Sequence, residues 1–330
     1  MMKLSLFLPV VGICLGLTAC GQSSGPSVST LPAADKSAPA APVPAQTRQI
    51  GLVMKTLTNP FFIEMEKGAR RAEKELGLTL QVKTAAQETS IEQQIQLVED
   101  LIMAKVDAIV IAPGDSQSLV PTLKKAAEAG IKVVNIDNRL DTESMQKVGL
   151  GEVPFVGVDN DAGAYLAGKF LADKATAPMQ AAILEGIRSA NNARQRMEGA
   201  KRALTENKQI KLVASETANW KIDEAYQVTK SIFTKHPEVK LLFAANDMMA
   251  MGAVKYLQES GKATVQVVGY DALSEAIAEI KAGRLAATVD QQAAEQGYQG
   301  VALALRLIKG EKVPPVTMIE TRLITAAGLK

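Results

Sequence analysis

The sequence predicts an α/β protein in which parallel β-sheets form two similar three-layer lobes. Short apolar runs, rich in the residues that strands prefer, alternate with longer stretches whose apolar residues recur at helical spacing. Such alternation is typical of parallel sheets whose strands are joined by right-handed helical crossovers. Eight or more strands are many for one open sheet, and a chain of this length can bury two cores, so we expect two lobes.

The strands expected in the body of the chain are short and contain few charged residues. They span residues 50–54, 108–112, 132–136, 155–158, 181–184, 211–214, 241–244 and 265–269. The helices expected between them carry apolar residues three and four positions apart. They span residues 62–76, 91–104, 119–129, 162–174 and 249–259. Three glycines (Gly77, Gly130 and Gly261) follow helices, where a left-handed backbone commonly ends the helix.

The first residues have the features of a secretion signal. Lys3 supplies a positive charge, and residues 4–17 form an apolar run that is too short for a permanent membrane span. The run ends in Leu17-Thr18-Ala19-Cys20-Gly21, which resembles the bacterial lipobox. The resemblance implies that residues 1–19 are a lipoprotein signal peptide and that Cys20 is lipidated. The alternative is ordinary cleavage after Ala19, which would leave Cys20 as a free thiol.

The segment after Cys20 is predicted to be a disordered tether. Residues 20–47 consist mainly of Ala, Pro and Ser, which cannot bury enough apolar surface to offset the entropy of ordering the chain. As a random coil, such a segment would reach roughly 30 Å. We therefore expect the folded body to begin near residue 48 and to be held, in the periplasm or at the cell surface, by a lipid anchor in a bacterial membrane.

Composition excludes several classes of site. The formal net charge is +2, and removal of the signal with Lys3 lowers it to +1, so no electrostatic feature favours nucleic acid. Cys14 lies inside the signal, and one remaining cysteine can form neither an internal disulfide nor a cysteine metal site. The single histidine, His236, precedes Pro237 in an expected turn, so a histidine-based triad or metal site is not expected. We expect no cofactor and no metal.

Polar side chains, most of them amides or carboxylates, and large aromatic residues follow most of the predicted strands. In order they are Lys55, Asn59, Phe61 and Phe62; Asp115; Asp137 and Asn138; Asn160; Asn219 and Trp220; Asn246 and Asp247; Asp271; and Gln291. In open parallel sheets, ligands bind outside the carboxyl ends of the strands, so these side chains are the candidate binding residues.

This set of side chains suits a sugar. Planar amides and carboxylates can each bond two hydroxyls, cationic groups supply donors, and flat aromatic rings cover the apolar C–H faces of a sugar ring. Any one of these residues also has a purely structural interpretation. We expect Asp115 and Asn160 to be helix caps or turn formers, and at least one of Phe61 and Phe62 to belong partly to the core.

A series of motifs runs through the body in a fixed order. The first is Lys55-Thr56-Leu57-Thr58-Asn59-Pro60-Phe61-Phe62, followed by Gly68. The others lie at residues 107–113, 134–137, 158–160, 196–199, 210–215, 245–252, 267–271 and 287–291, with Trp220 among them. In content and spacing they resemble periplasmic sugar-binding proteins of the ribose and allose type. The resemblance covers nearly the whole body and is more specific than any single motif.

Carried over position by position, the resemblance implies a set of ligand contacts. They are Lys55, Asn59, Phe61, Phe62, Asp137, Asn138, Arg196, Trp220, Asn246, Asp271 and Gln291. Lys55 matches the allose type, whereas the ribose type carries serine there. Phe62 replaces a tryptophan of the allose type, and Asn138 replaces an arginine of the ribose type or a glutamate of the allose type. These departures leave the choice between an allose-like and a ribose-like aldose open.

The resemblance also implies how the chain is divided and what it does. Residues 48–157 plus 292–320 are expected to form the N-terminal lobe and residues 158–291 plus 321–330 the C-terminal lobe, as in the type I periplasmic binding protein fold. Three chain crossings would form a hinge, and the lobes would close around one monosaccharide. A monomer of this kind would deliver its sugar to the membrane subunits of an ABC-type permease.

The sequence bears on three other functions. A dinucleotide-dependent enzyme would need a glycine-rich turn after the first strand, and residues 55–59 contain no glycine, so we do not expect an enzyme. A sugar-responsive repressor shares the fold, but the export signal and the lack of a helix-turn-helix before Ile50 argue against it. A sugar sensor that presents its bound ligand to a chemoreceptor or sensor kinase is not distinguished from a transport protein by the sequence.

The lipobox interpretation can be tested directly. We expect Cys20→Ala to release the protein from membranes, because no lipid can then be attached through the cysteine sulfur. Membrane fractionation of cells that express the wild type and the variant measures this. Continued membrane association of the variant would contradict the lipid anchor.

Overall fold

The computed structural model describes residues 47–329. The signal peptide, Cys20 and nearly all of the tether therefore lie outside the described residues. Within residues 47–329, no helix is long and apolar enough to cross a membrane.

The described residues contain β-strands and α-helices in almost strict alternation, numbered in chain order. The strands are β1 Gln49–Met54, β2 Thr79–Thr84, β3 Ala108–Ile111, β4 Lys132–Ile136, β5 Phe155–Val158, β6 Met179–Glu185, β7 Ile210–Thr217, β8 Val239–Ala244, β9 Gln266–Val268, β10 Ala287–Asp290, β11 Val316–Ile319 and β12 Arg322–Thr325. The helices are α1 Pro60–Leu76, α2 Ile91–Met103, α3 Val120–Glu128, α4 Thr142–Val148, α5 Asn160–Ala172, α6 Asn191–Glu206, α7 Ile222–Lys235, α8 Asp247–Glu259, α9 Ser274–Lys281 and α10 Ala293–Ile308.

The strands form two six-stranded sheets. The first has the order β11-β5-β4-β3-β1-β2 and the second the order β12-β10-β9-β8-β6-β7. All pairings are parallel except the antiparallel pair β10–β12. We call the first sheet with α1–α4 and α10 the first lobe, and the second sheet with α5–α9 the second lobe. The predicted fold class, two lobes with parallel sheets, is confirmed.

Each sheet lies between two layers of helices. In the first lobe, α1 packs beside α10 on one face, and α2 and α3 pack on the other. Strand residues alternate between these layers, as the period of a β-strand requires. Leu52 and Met54 belong to the α1–α10 core, whereas Val53 belongs to the core beneath α2 and α3. In the second lobe, α5 and α6 form one layer, and α7 and α8 pack together in the other.

The chain passes between the lobes three times. The crossings follow β5, β10 and β11, since α5 packs on the second sheet, α10 packs on the first, and β12 pairs with β10. At the second crossing Gln292 adopts a left-handed backbone with φ of 53°. Its side-chain amide donates to the carbonyl oxygen of Glu320 at 2.7 Å, which joins the second crossing to the third. The predicted three-crossing hinge is therefore present.

Small residues allow α1 and α10 to pack closely. A Cβ atom at Gly297 would lie 2.1 Å from the carbonyl oxygen of Met65, and one at Gly68 would lie 1.7 Å from the carbonyl oxygen of Ala294. Both neighbours are backbone atoms of the opposite helix, which cannot move without moving the helix. The separation between the two helices therefore depends on glycine at both positions.

We expect Gly297→Ala to destabilise the protein by about 1–3 kcal/mol, because the added methyl group overpacks the α1–α10 contact. Gly151→Ala is the matched control, since no atom lies within 4 Å of a Cβ at that position. Urea unfolding followed by circular dichroism measures both variants. Equal unfolding midpoints for the two would contradict the close-packing argument.

Candidate functional site

A small cavity lies between the lobes, at the carboxyl ends of strands from both sheets. About 230 Å³ of this space is not filled by protein atoms. Its walls are formed by Lys55, Asn59, Phe61, Phe62, Glu88, Asp137, Asn192, Arg196, Trp220, Asn246, Asp271 and Gln291. Of the eleven predicted ligand contacts, all but Asn138 lie on these walls.

The start of α1 supplies the aromatic part of the first-lobe wall. Asn59 is the N-cap of α1, and its side-chain oxygen accepts the amide N–H of Phe61 at 3.1 Å. The next two residues, Phe61 and Phe62, place their rings edge to face, with centroids 5.1 Å apart. Both rings are buried, so they contribute to the core as well as to the cavity, as expected. The cap fixes the direction in which the two rings leave the helix.

A buried cluster of charges forms the rest of the first-lobe wall. Lys55 Nζ lies 2.7 Å from Asp137 Oδ2 and 3.9 Å from Glu88 Oε2. Glu88 Oε1 accepts a hydrogen bond of 2.9 Å from Asn59 Nδ2. Burial raises the pKa of Glu88, and the charge of Lys55 opposes that rise. One ammonium group thus lies beside two carboxylates whose side chains are less than a tenth exposed.

Arg196, on α6, is the centre of the second-lobe wall. Its Nε donates to Asn160 Oδ1 at 2.8 Å, and its Nη2 donates to Gln291 Oε1 at 3.1 Å. Its Nη1 donates to the carbonyl oxygen of Ala245 at 2.9 Å and lies 3.5 Å from Asp271 Oδ1. Since the guanidinium group is planar, these acceptors must lie close to one plane.

Aromatic rings cover the guanidinium group of Arg196. The ring centroid of Tyr270 lies 3.8 Å from its central carbon, and a Trp220 ring centroid lies 5.5 Å away. Trp220 itself has a left-handed backbone with φ of 67°. Its ring occupies the space beside Gly186, where a Cβ atom would lie 2.0 Å from a ring carbon. The cation therefore lies close to the faces of two aromatic rings, which favour it electrostatically.

The ends of β8, β9 and β10 complete the second-lobe wall. Asn246 is the N-cap of α8 and accepts the amide N–H of Met249 at 2.8 Å. Gln291 donates through Nε2 to Asp271 Oδ1 at 2.6 Å. Asp271 has φ of 120°, a backbone conformation that residues with a side chain rarely adopt. Burial raises the pKa of Asp271, and the charge of Arg196 opposes this effect.

Some buried polar atoms on the cavity walls have no hydrogen-bond partner among the described residues. They include Trp220 Nε1 and the side-chain oxygen of Asn192. Buried polar groups are normally satisfied, and leaving one unpaired costs about 1–3 kcal/mol. A ligand with hydroxyl groups could pair with both the donor and the acceptor.

Asn138 is the one predicted ligand contact that does not lie on the cavity wall. Its side-chain amide donates to the carbonyl oxygen of Pro113 at 3.1 Å, and its side-chain oxygen accepts the amide N–H of Asn192 at 3.2 Å. Asn138 is fully buried but does not line the cavity. The bond to Asn192 links the two lobes, and a ligand contact of Asn138 stays a prediction.

Two residues of the cavity wall, Glu88 and Asn192, are not among those predicted from the sequence. Glu88 lies in the loop after β2, an edge strand whose residues are mostly part-exposed and which therefore lacks the apolar run used to find strands. Asn192 lies in the first turn of α6, seven residues after β6 ends. For Asn192, the sequence feature that could have predicted a site residue is the polar pair Asn191-Asn192 before the helical pattern of α6.

The remaining strand-end residues have local roles. Asp115 accepts the amide N–H groups of Gln117 and Ser118, so its expected role in a turn is confirmed. The cap of α5 is Asp159, not Asn160, which instead bonds Arg196. Asn219 donates to Glu224. Within residues 47–329, no group of three or more His, Cys, Asp or Glu side chains is arranged to hold a metal ion.

Comparison with known proteins places this geometry in a family. Residues 50–312 match the family described as "Periplasmic binding protein domain". The D-ribose/D-allose-binding protein of Pseudomonas aeruginosa is 43% identical over 266 residues, which are 80% of this chain and 83% of that protein. The D-allose-binding periplasmic protein of Escherichia coli K12 is 34% identical over 84% of this chain and 92% of its own length.

A solved structure supports the same family. An ABC transporter periplasmic solute-binding protein from Actinobacillus succinogenes, crystallised with bound D-allose, superposes with a TM-score of 0.81. It is 40% identical, and the match covers 86% of this chain and 99% of that one.

The buried carboxyl groups predict how stability depends on pH. Burial raises the pKa of Asp247, which lies behind the cavity, to about 7, and the unfolded value is about 3.9. Between these values the folded protein holds a proton that the unfolded chain releases, so the free energy of unfolding falls as pH rises. The raised pKa values of Glu88 and Asp271 act in the same direction.

We therefore expect the melting temperature of the sugar-free protein to fall as pH rises from about 5 to about 7.5. The fall should be shallower in Asp247→Asn, which cannot titrate at that position. Differential scanning calorimetry at several pH values measures both proteins. Identical slopes for wild type and variant would show that Asp247 does not titrate in this range.

Proposed function

This chain belongs to the periplasmic binding protein domain family, and we propose that it captures a single aldose, allose-like or ribose-like, between its lobes. The observation that carries the proposal is the wall of the cavity. It combines carboxylates, cations, amides and flat aromatic rings, nearly all of them buried and held by other side chains. Such a wall can bond hydroxyl groups of either polarity and cover the C–H faces of a sugar ring.

The proposed sugar class rests on the relatives together with Lys55. The Pseudomonas aeruginosa relative is named for D-ribose and D-allose and the Escherichia coli relative for D-allose, and the Actinobacillus succinogenes structure contains D-allose. Lys55 is fixed beside Asp137 and Glu88 rather than pointing into solvent. It can therefore donate to a sugar hydroxyl while its charge stays compensated. Binding rather than catalysis is proposed, in keeping with a family of solute-binding proteins.

Closure of the lobes is the proposed mechanism of capture. We propose that the first lobe, which is N-terminal, comprises residues 48–157 plus 292–320. The second lobe, which is C-terminal, would comprise residues 158–291 plus 321–330. Lys55, Asn59 and Asp137 then approach the sugar from one lobe, and Arg196, Trp220 and Asp271 approach it from the other. Because only the closed form makes both sets of contacts, a sugar shifts the population toward that form.

The proposed partner of the closed form is an ABC-type sugar permease. The family and the solved structures of ABC transporter solute-binding proteins support this partner. The lipobox around Cys20 supports lipid anchoring to a bacterial membrane, in the periplasm or at the cell surface, and we propose that the protein acts there as a monomer. The names of the relatives give no support to the alternative role as a sensor.

We expect Arg196→Ala to lower the affinity for D-allose and D-ribose by about 100-fold or more, since it removes one partner of a buried, hydrogen-bonded charge pair. Arg202→Ala is the matched control, because Arg202 lies on the same helix and forms an ion pair with Asp161 at the surface. Isothermal titration calorimetry measures the affinities, and circular dichroism verifies that each variant is folded.

The outcomes separate the two parts of the proposal. Unchanged affinity in Arg196→Ala would show that the cavity is not the sugar site. A wild-type protein that binds neither sugar, nor any other aldose in a thermal-shift screen, would overturn the proposed function itself.

A further inference from the structure

Asp247 is a fully buried carboxylate behind the cavity that does not line it. It is the first residue of α8, directly after the cavity residue Asn246. Its Oδ2 accepts the amide N–H of Leu273 at 2.9 Å, and its Oδ1 accepts the hydroxyl of Thr288 at 2.8 Å. Its own amide N–H donates to the carbonyl oxygen of Tyr270 at 2.7 Å. Every one of these contacts is to β10 or to the loop after β9.

That loop has a backbone which needs outside support. Asp271 and Ala272 have φ of 120° and 55°. Conformations of this kind cost about 1–3 kcal/mol each in residues that carry a side chain, and they persist only when neighbouring groups hold them. The side chain of Asp271 lines the cavity, so the strained backbone determines where one carboxylate of the proposed site lies.

Three successive backbone N–H groups hold this loop. The N–H of Asp271 donates to the carbonyl oxygen of Val289 at 2.8 Å, as a continuation of the sheet. The N–H of Ala272 donates to Thr288 Oγ1 at 3.2 Å, and the hydroxyl of Thr288 donates in turn to Asp247. The N–H of Leu273 donates to Asp247 directly. Two of the three bonds therefore end, directly or through one hydroxyl, on Asp247.

We propose that Asp247 is a positioning residue, which fixes the strained turn at Asp271 and Ala272 and so holds the Asp271 carboxylate where it can bind a sugar hydroxyl, with Thr288 as the intermediate. This inference rests on the proposed function. It assigns to Asp247 and Thr288 a role in affinity although neither residue touches the cavity.

A hydrogen-bonding cap role in α8 does not account for the contacts of Asp247. The N-cap of α8 is Asn246, which accepts the N–H of Met249. No hydrogen bond joins the Asp247 carboxylate to an N–H group of its own helix among the described contacts, which are those to Leu273 and Thr288. A buried carboxylate is costly, and it is retained here where both of its oxygens serve the loop after β9.

The first test uses two substitutions of Thr288. Thr288→Ser keeps the hydroxyl and should bind D-allose and D-ribose with an affinity within about threefold of wild type. Thr288→Val has nearly the same volume but can neither accept from Ala272 nor donate to Asp247, and its affinity should fall about tenfold, which corresponds to the loss of one to two hydrogen bonds. Calorimetric titrations of equal affinity for the two variants would overturn the proposal.

The second test substitutes Asp247. Asp247→Asn can still accept the Leu273 N–H through its side-chain oxygen, but its amide group must then donate to Thr288, so the Thr288 hydroxyl loses its charged acceptor and affinity should fall about three- to tenfold. Asp161→Asn, a change at a partly exposed position in the first turn of α5 and away from the cavity, should leave affinity within about twofold of wild type. If Asp247→Asn does not fold, the Thr288 pair still decides the question.

A double-mutant cycle separates positioning from a general loss of stability. If Asp247 acts through Asp271, then adding Asp247→Asn to Asp271→Asn should weaken binding by less than about twofold, since the group being positioned is already changed. Trp220 fluorescence at high sugar concentration measures these weak affinities. Fully additive losses would overturn the proposal. Wild-type protein that binds no aldose would overturn the proposed function, whereas unchanged affinity in Asp247→Asn with a sugar-binding wild type would overturn only this inference.

Discussion

The buried guanidinium group of Arg196 is the interaction on which the rest of the site depends. It joins the start of α5, the loop after β8, the loop after β9 and the end of β10. The acceptors are Asn160 Oδ1, the carbonyl oxygen of Ala245, Asp271 Oδ1 and Gln291 Oε1. Because the guanidinium is planar and its donors point in fixed directions, the four acceptors are held in one arrangement. Two of them, Asn160 and Gln291, also lie beside the first and second chain crossings, so the same cation connects the cavity to the hinge.

The lobes also contact each other away from the cavity. The hydroxyl of Ser116 in the first lobe accepts the amide N–H of Asn191, and its own N–H donates to the carbonyl oxygen of Ser189. Asn138 adds the bond to the N–H of Asn192. These bonds join the two lobes independently of the side chains that line the cavity, and they help to set the distance between its walls. The contacts that a sugar makes with both walls would add to them, and the balance between open and closed forms depends on the sum.

The two walls stabilise their charges in different ways. In the first lobe, the ammonium group of Lys55 lies beside Asp137 and Glu88 and 5.5 Å from the centroid of the Phe62 ring, so carboxylates compensate most of its charge. In the second lobe, Arg196 is compensated mainly by neutral amide and carbonyl oxygens and by the faces of Tyr270 and Trp220. Buried charges are tolerated only where hydrogen bonds satisfy them, and both arrangements do so before any ligand group is added. Because these side chains are already ordered, binding a ligand costs little additional side-chain conformational entropy.

By itself the sequence determined the fold class, the division into two lobes and nine residues of the cavity wall, because these follow from short-range patterns, whereas Arg196 was predicted only through the family resemblance. Apolar runs mark buried strands, and the ends of parallel strands share one edge of a sheet, so residues such as Asp137 and Asp271 could be placed without coordinates. Only the tertiary structure decided that Asn138 turns away from the cavity while Glu88 and Asn192 face it, and that Asp247 supports Asp271 from behind. The direction of a side chain depends on which backbone groups distant in sequence need a partner, and that information exists only once the two lobes are packed together.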